Sequence, residues 1–194
     1  MKKFFLMAIV AMMTIVSVNA QDEKEFNRHE VAVSYGAASN SQWLGAFEHI
    51  AATMVTFGGA KYENESYTGP FSAEYFYHTN SWLGVGGILV YGQNSQDVYL
   101  GSTNTGEYKD SYYTVMPAVK FDWMRKKYFG AYSKFGVGAT LRTESYDGKS
   151  ESAVHFNWQA SLLGLEVGSP QIRVFAELGV GEQGILCGGL RYKF

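Results

Sequence analysis

From Tyr128 to Arg142 the chain alternates. Phe129, Ala131, Phe135, Val137, Ala139 and Leu141 lie on one parity, and Gly130, Tyr132, Lys134, Gly136, Gly138, Thr140 and Arg142 on the other. Side chains of a strand project to opposite faces with a period of two, so this is a strand with one apolar and one polar face. The same period recurs over Arg28–Ala37, Pro70–Tyr77, Trp82–Tyr91, Tyr112–Trp123, Val154–Leu162, Ile172–Gly179 and Ile185–Phe194. That makes eight strands, and an even number returns both termini to one side. Pro117 inside the fourth removes a ladder donor and is the one local objection. No helix-length apolar span follows residue 20, so any membrane crossing would be by strands, which must close on themselves to satisfy their backbone. The expected fold is all-β: an eight-stranded antiparallel up-and-down transmembrane β-barrel.

The first twenty residues are of another kind. Lys2 and Lys3 precede an apolar run, Phe4 to Val18, broken by Thr14 and Ser17. Val18-Asn19-Ala20 then leads into the polar Gln21-Asp22-Glu23-Lys24. This is the pattern of a secretory signal peptide cut after Ala20; the run is short of the ~20 residues that cross a bilayer as helix. The domain division is therefore 1–20 signal peptide and 21–194 barrel. No Cys follows the cut, which argues against a lipoprotein anchor, and Cys187, the only cysteine, allows no internal disulfide. Without the two leader lysines, 14 Lys and Arg face 18 Asp and Glu, a balance that suggests no nucleic-acid partner. The 14 Tyr, 13 Phe, 22 Gly and only 3 Pro suit membrane strands rimmed by aromatic girdles.

The connections alternate in length. His78–Ser81, Met124–Lys127 and Leu163–Gln171 are short or modest, while Ala38–Gly69, Gly92–Ser111 and Thr143–Ala153 are long. Short periplasmic turns and long external loops are the rule in membrane barrels. Gly181–Gly184 breaks the rule, being short on the external side. The chain ends Gly189-Leu190-Arg191-Tyr192-Lys193-Phe194. Gly189, Tyr192 and Phe194 resemble the Gly-x-x-aromatic-x-Phe ending of bacterial outer-membrane barrels, with Cys187 where a polar residue is usual. With the strand count, the mature chain resembles the small eight-stranded barrels of the OmpA and OmpX type. That resemblance implies a Gram-negative outer-membrane, cell-surface location and delivery by the barrel-assembly machinery. It implies a structural or adhesion-like surface role toward outer-membrane lipids, lipopolysaccharide or a host ligand. A small porin-like pore or carrier of hydrophobic molecules is the alternative, and a lipopolysaccharide-modifying enzyme a weaker one.

Periodicity alone does not say which parity faces in. The polar parity carries Glu30, Glu74, Lys120, Asp122, Lys134, Arg173, Glu177 and Arg191, four acids and four bases. Lys or Arg on a lipid face costs roughly 2–4 kcal/mol at the midplane, so these charges are expected inside, paired across a lumen plugged by side chains. A soluble lipocalin-like barrel would be the reverse.

Within the longest loop, Trp43, Phe47, Ile50 and Met54 recur at helical spacing, with Ser41 as N-cap and Gly58-Gly59 as stop. They form either a helix packed on the rim or an apolar element that binds outer-leaflet lipid or a partner; two further strands are a third option. Among the histidines only His155 sits near the outer end of a strand, with Ser152 and Asn157 close by. Deacylase barrels show His-x-Ser, and here His155-Phe156-Asn157 lacks the nucleophile, so no catalytic residue is assigned. His78 is expected to be solvated in a periplasmic turn. No His, Cys and carboxylate grouping has metal spacing, and no cofactor is expected.

Overall fold

The computed structural model describes the backbone of residues 27–43, 60–100, 103–146 and 149–194, and the side chains of 27–43, 66–96, 108–145 and 150–194. The leader and the loop residues Phe47, Ile50 and Met54 lie outside the described residues.

Eight strands form one closed antiparallel barrel in sequence order. They are β1 His29–Ala37, β2 Ala60–His78, β3 Leu83–Leu100, β4 Thr103–Arg125, β5 Phe129–Tyr146, β6 Lys149–Gly168, β7 Ile172–Gly181 and β8 Leu186–Lys193. The seam joins the two ends of the chain. Glu30 pairs with Lys193, Val33 with Leu190 and Ala37 with Leu186. Phe194 adds a reciprocal backbone pair with His29 at 2.8 and 2.9 Å. Pro117 is accommodated without loss of register: Val115 faces Ala139 on one side of it and Ala118 faces Gly136 on the other.

The apolar parity faces outward. Val33 and Val115 are 60% exposed, Phe156 70% and Leu162 67%, whereas Lys134, Glu177 and Arg191 are at most 2% exposed. This is the inverse of a soluble carrier barrel and removes the lipocalin-like reading. The inward glycines make room for large neighbours. Gly164 pairs with Tyr132 across the sheet, and a Cβ at Gly164 would meet the Tyr132 ring at 2.4 Å.

Three connections are tight, on the side where β1 begins and β8 ends. The turn at 79–82 is tied by Asn80 Oδ1, which accepts from the Leu83 and Trp82 amides at 2.9 and 3.3 Å. The turn at 169–171 is tied by Ser169 Oγ, which accepts from Ile172 N at 2.8 Å.

The opposite side corrects the expected loops. Gly92–Ser111 and Thr143–Ala153 are not open loops; β3 runs on to Leu100 and meets β4 from Thr103, and β5 and β6 continue to Tyr146 and Lys149. β2 likewise starts at Ala60, ten residues before Pro70. Five strands, β2 to β6, thus project beyond the level at which β1, β7 and β8 end. Serine, asparagine and glutamine on both faces of these extensions erase the alternation that marks a half-buried strand.

The Leu163–Gln171 turn is also shorter than expected, because β6 continues to Gly168. The β6–β7 register shifts between Ser161 and Leu163. This bulge puts Leu162 and Leu163 both outside, at 67% and 37% exposure. The extra residue flips the parity and turns Glu166 inward.

Candidate functional site: the barrel interior and its outer mouth

The polar parity of the strands converges on the axis. Nearest the chain ends, Glu30 of β1 meets Lys120 of β4 at 2.6 Å, and Lys120 lies 3.6 Å from Asp122. Glu166 of β6 receives Arg173 at 2.6 Å, Arg191 at 2.8 Å and the Lys193 ammonium. One layer further out, Lys134 of β5 bridges Glu74 at 2.5 Å and Glu177 at 2.9 Å. The Tyr132 hydroxyl and Ser161 hydroxyl each donate to Glu177 at 2.6 Å.

Arg191 of β8 links the layers. It lies 2.8 Å from Glu166, 3.4 Å from Glu74, 3.6 Å from Glu30 and 3.7 Å from Glu177. Its guanidinium stacks between the rings of Tyr132 and Phe175, at 4.5 and 4.4 Å from their centres. A planar cation with five donors suits this position, where an ammonium would reach fewer partners. Each of these charges has an opposite charge within 4.0 Å, which offsets the cost of its burial. One flank of the interior is apolar instead, with Phe76, Ile88, Val90, Met116 and Ala118 in contact.

The eight charged residues read from the sequence all lie in this assembly. Sequence reading missed three others. Glu166 was hidden by the bulge at Leu162. Lys193 shares the parity of Arg191, and that parity would have placed it inside. His78 is the third, and its expected solvation is corrected: it is fully buried. Its Nε2 lies 3.1 Å from Glu30 and its Nδ1 3.3 Å from Asp122. The polar string His78-Thr79-Asn80-Ser81 reads as a turn, yet β2 carries His78 inward before the chain reverses at Thr79.

Two short segments pack into the outer mouth. The β7–β8 connection tucks inward, so that Glu182 and Gln183 are buried. Gly36 leaves the space for it, since a Cβ there would strike the Gln183 carbonyl oxygen at 1.9 Å. Gln183 reaches down to Glu74 at 2.8 Å, and its amide donates to Gln159 at 2.7 Å. Opposite it, the chain leaving β1 makes a helical turn over 40–43. The N-cap is Ser39, not Ser41. Gln42 N donates to Ser39 Oγ at 3.3 Å and Ser39 N to Gln42 Oε1 at 3.0 Å, a reciprocal Ser-x-x-Gln capping box. Ser41 instead donates to Glu182, by its hydroxyl at 2.5 Å and its amide at 3.2 Å. Asn157 and Thr114 also donate to Glu182, at 2.8 and 3.3 Å. Burial pushes the Glu182 carboxyl above its ordinary value, and these donors oppose the rise. Trp43, the one described residue of the proposed loop site, is half exposed.

His155, Ser152 and Asn157 are not brought together. Ser152 is three residues from His155 and so on the opposite face of β6, where its hydroxyl lies 3.3 Å from that of Thr143. Asn157 is spent on Glu182 and Thr140. Among the described residues, no group of three or more His, Cys, Asp and Glu could hold a metal ion.

Of the three residues expected to form the assembly signal, Gly189 faces Ser34 and Phe175 in the flanking strands. Tyr192 and Phe194 point outward. The Phe194 ring stacks on His29 at 5.3 Å and on Tyr192 at 5.6 Å.

The family model for the outer membrane protein beta-barrel domain matches residues 8–170. Among solved structures, the chain is similar to Ail, the attachment invasion locus protein of Yersinia pestis, with 18% identity and a TM-score of 0.42 over 88% of this chain and all of that one. It is also similar to Ail in complex with the heparin analogue sucrose octasulfate, with 17% identity and a TM-score of 0.45 over 86% of this chain and 99% of that one. No curated protein matches the chain.

Proposed function

Because the chain belongs to the outer membrane protein beta-barrel family, we propose that it is a surface-interaction protein whose barrel is a sealed anchor. The observation that carries this reading is the contrast along the axis. The interior is crossed by ion pairs with side chains 0–4% exposed, while β2 to β6 run on past the ring into the exterior. A sealed axis leaves the outer strands and their connections as the parts that meet other molecules. Their partners on this reading are lipopolysaccharide and a host or other surface ligand. Trp43, with Phe47, Ile50 and Met54 beyond the described residues, is an apolar contribution to that surface. The leader at 1–20 exports the chain, and Gly189, Tyr192 and Phe194 present it to the barrel-assembly machinery.

The test is to replace residues 95–110, the tip of the β3–β4 hairpin, by a short turn. The shortened barrel should keep its heat-modifiable gel mobility in the outer-membrane fraction and lose most attachment to host cells or matrix. Undiminished attachment would refute the role for the projecting strands. In planar bilayers the purified protein should give no steady conductance; a stable open current would return the pore or carrier to first place. Among the described residues the mouth does not assemble a Ser–His pair, so lipid chemistry has the least support.

A further inference from the structure

The outward wall holds a depression. Ala73 of β2 has Val33 of β1 and Leu89 of β3 as its cross-strand partners, and Leu89 is followed by Val115 of β4. Phe71, Tyr91 and Tyr113 stand over its outer end. A single methyl among these large side chains leaves a groove of about 510 Å³ with an almost wholly apolar surface.

Its depth in the membrane follows from the aromatic residues. Tyr35 and Phe71 meet edge to face at 4.9 Å, and Tyr91 and Tyr113 lie 5.2 Å apart. The Tyr91 hydroxyl donates to Gln93 at 3.0 Å. An aromatic residue with its polar tip on an amide marks the interface. The periplasmic counterpart on β2 is Tyr75 and Tyr77, beside His29. From Phe71 to Tyr75 and Tyr77 the strand covers ~14–20 Å, and Ala73, at the inner end of the groove, lies ~7 Å below Phe71. The groove therefore runs from the outer aromatic residues to about the middle of the apolar band. Above it the outward parity of β4 turns polar: Tyr113 is followed by Ser111 and then by the exposed Lys109. Lys109 is four residues, or ~14 Å, beyond Tyr113.

We propose that this groove seats one acyl chain of a lipopolysaccharide molecule, whose phosphate-bearing head lies toward Lys109. The assignment rests on the outer-membrane reading and gives the lipid partner a place on the β2–β4 wall. Three features favour it over a phospholipid of the inner leaflet: a groove that starts at the outer aromatic residues, a hydroxyl and amide layer directly above, and a cation beyond that.

Native mass spectrometry of the full-length protein, extracted from outer membranes in mild detergent, tests it with A73W and the far-wall control A176W. Ala176 is also exposed and faces Leu165 and Gly188. The wild type and A176W should each retain one lipopolysaccharide per barrel, and A73W at least fivefold less. Equal retention by A73W, or phospholipid or no lipid on the wild type, would overturn the proposal. Heat-modifiable mobility reports separately on the barrel: its loss from the outer-membrane fraction would count against the anchor reading, not against the groove.

Discussion

Arg191 is shared by four carboxylates, so its removal is felt by all of them. R191M keeps much of the volume and the stacking on Tyr132 and Phe175 but leaves Glu30, Glu74, Glu166 and Glu177 with less positive charge. Breaking a buried charge pair costs about 3–5 kcal/mol, and urea unfolding in detergent micelles should show a loss of that order. R191K should recover only part, because an ammonium has fewer donors than the guanidinium and lacks the planar group that lies against the Tyr132 and Phe175 rings. The double variant R191M/E166Q should be more stable than R191M, since one unmatched carboxylate is gone. If R191M unfolds at the wild-type urea concentration, the interior pairs contribute no stability.

At the scale of the element, Glu182 fastens the turn at 40–43 to the inward β7–β8 connection. Its carboxyl is raised by burial, which fixes the sign of the pH dependence. The protonated form is favoured in the fold, so the fastening is strongest below the ordinary carboxylate range and weakens as pH rises through the raised value. Hydrogen exchange at the Ser41 amide, corrected for its intrinsic pH dependence, should therefore show protection that falls as pH rises through that raised value. E182Q, which cannot ionise, should flatten that dependence; an unchanged slope in E182Q would show that another group sets it.

None of this fastening was visible in the sequence, because it depends on where a four-residue connection folds. Strands were legible where one face meets lipid and the other the interior, as in Phe129–Leu141, since two solvents impose two residue classes. They were illegible where both faces carry polar residues, as in Ser95 and Gln96 or Ser150 to Ser152. They were misread wherever a bulge changed the parity, which is why Leu162 concealed Glu166. His78 was lost for a related reason: a buried polar partner of carboxylates and a solvated turn residue look alike in composition.

For the whole molecule, closure depends on β8 and Phe194, which pair with β1. Phe194 contributes a backbone pair and a ring stack to His29, while its proposed role in recognition concerns delivery. Removing Phe194 separates the two. The truncated chain should refold in detergent to a heat-modifiable barrel at near wild-type yield, yet accumulate several-fold less in the outer membrane. Equal losses in both settings would make Phe194 a purely structural residue.

The seam also imposes an order in time. Glu30, among the earliest residues of the barrel to leave the ribosome, has as neighbours Arg191 and Lys193, which are among the last. A nascent chain cannot settle its interior while it is still being synthesised. It must travel unfolded until β8 has been made, and a product that stops before β8 arrives with acids that lack Arg191 and Lys193 and with edges on β1 and β7 that nothing covers, which marks it for proteolysis.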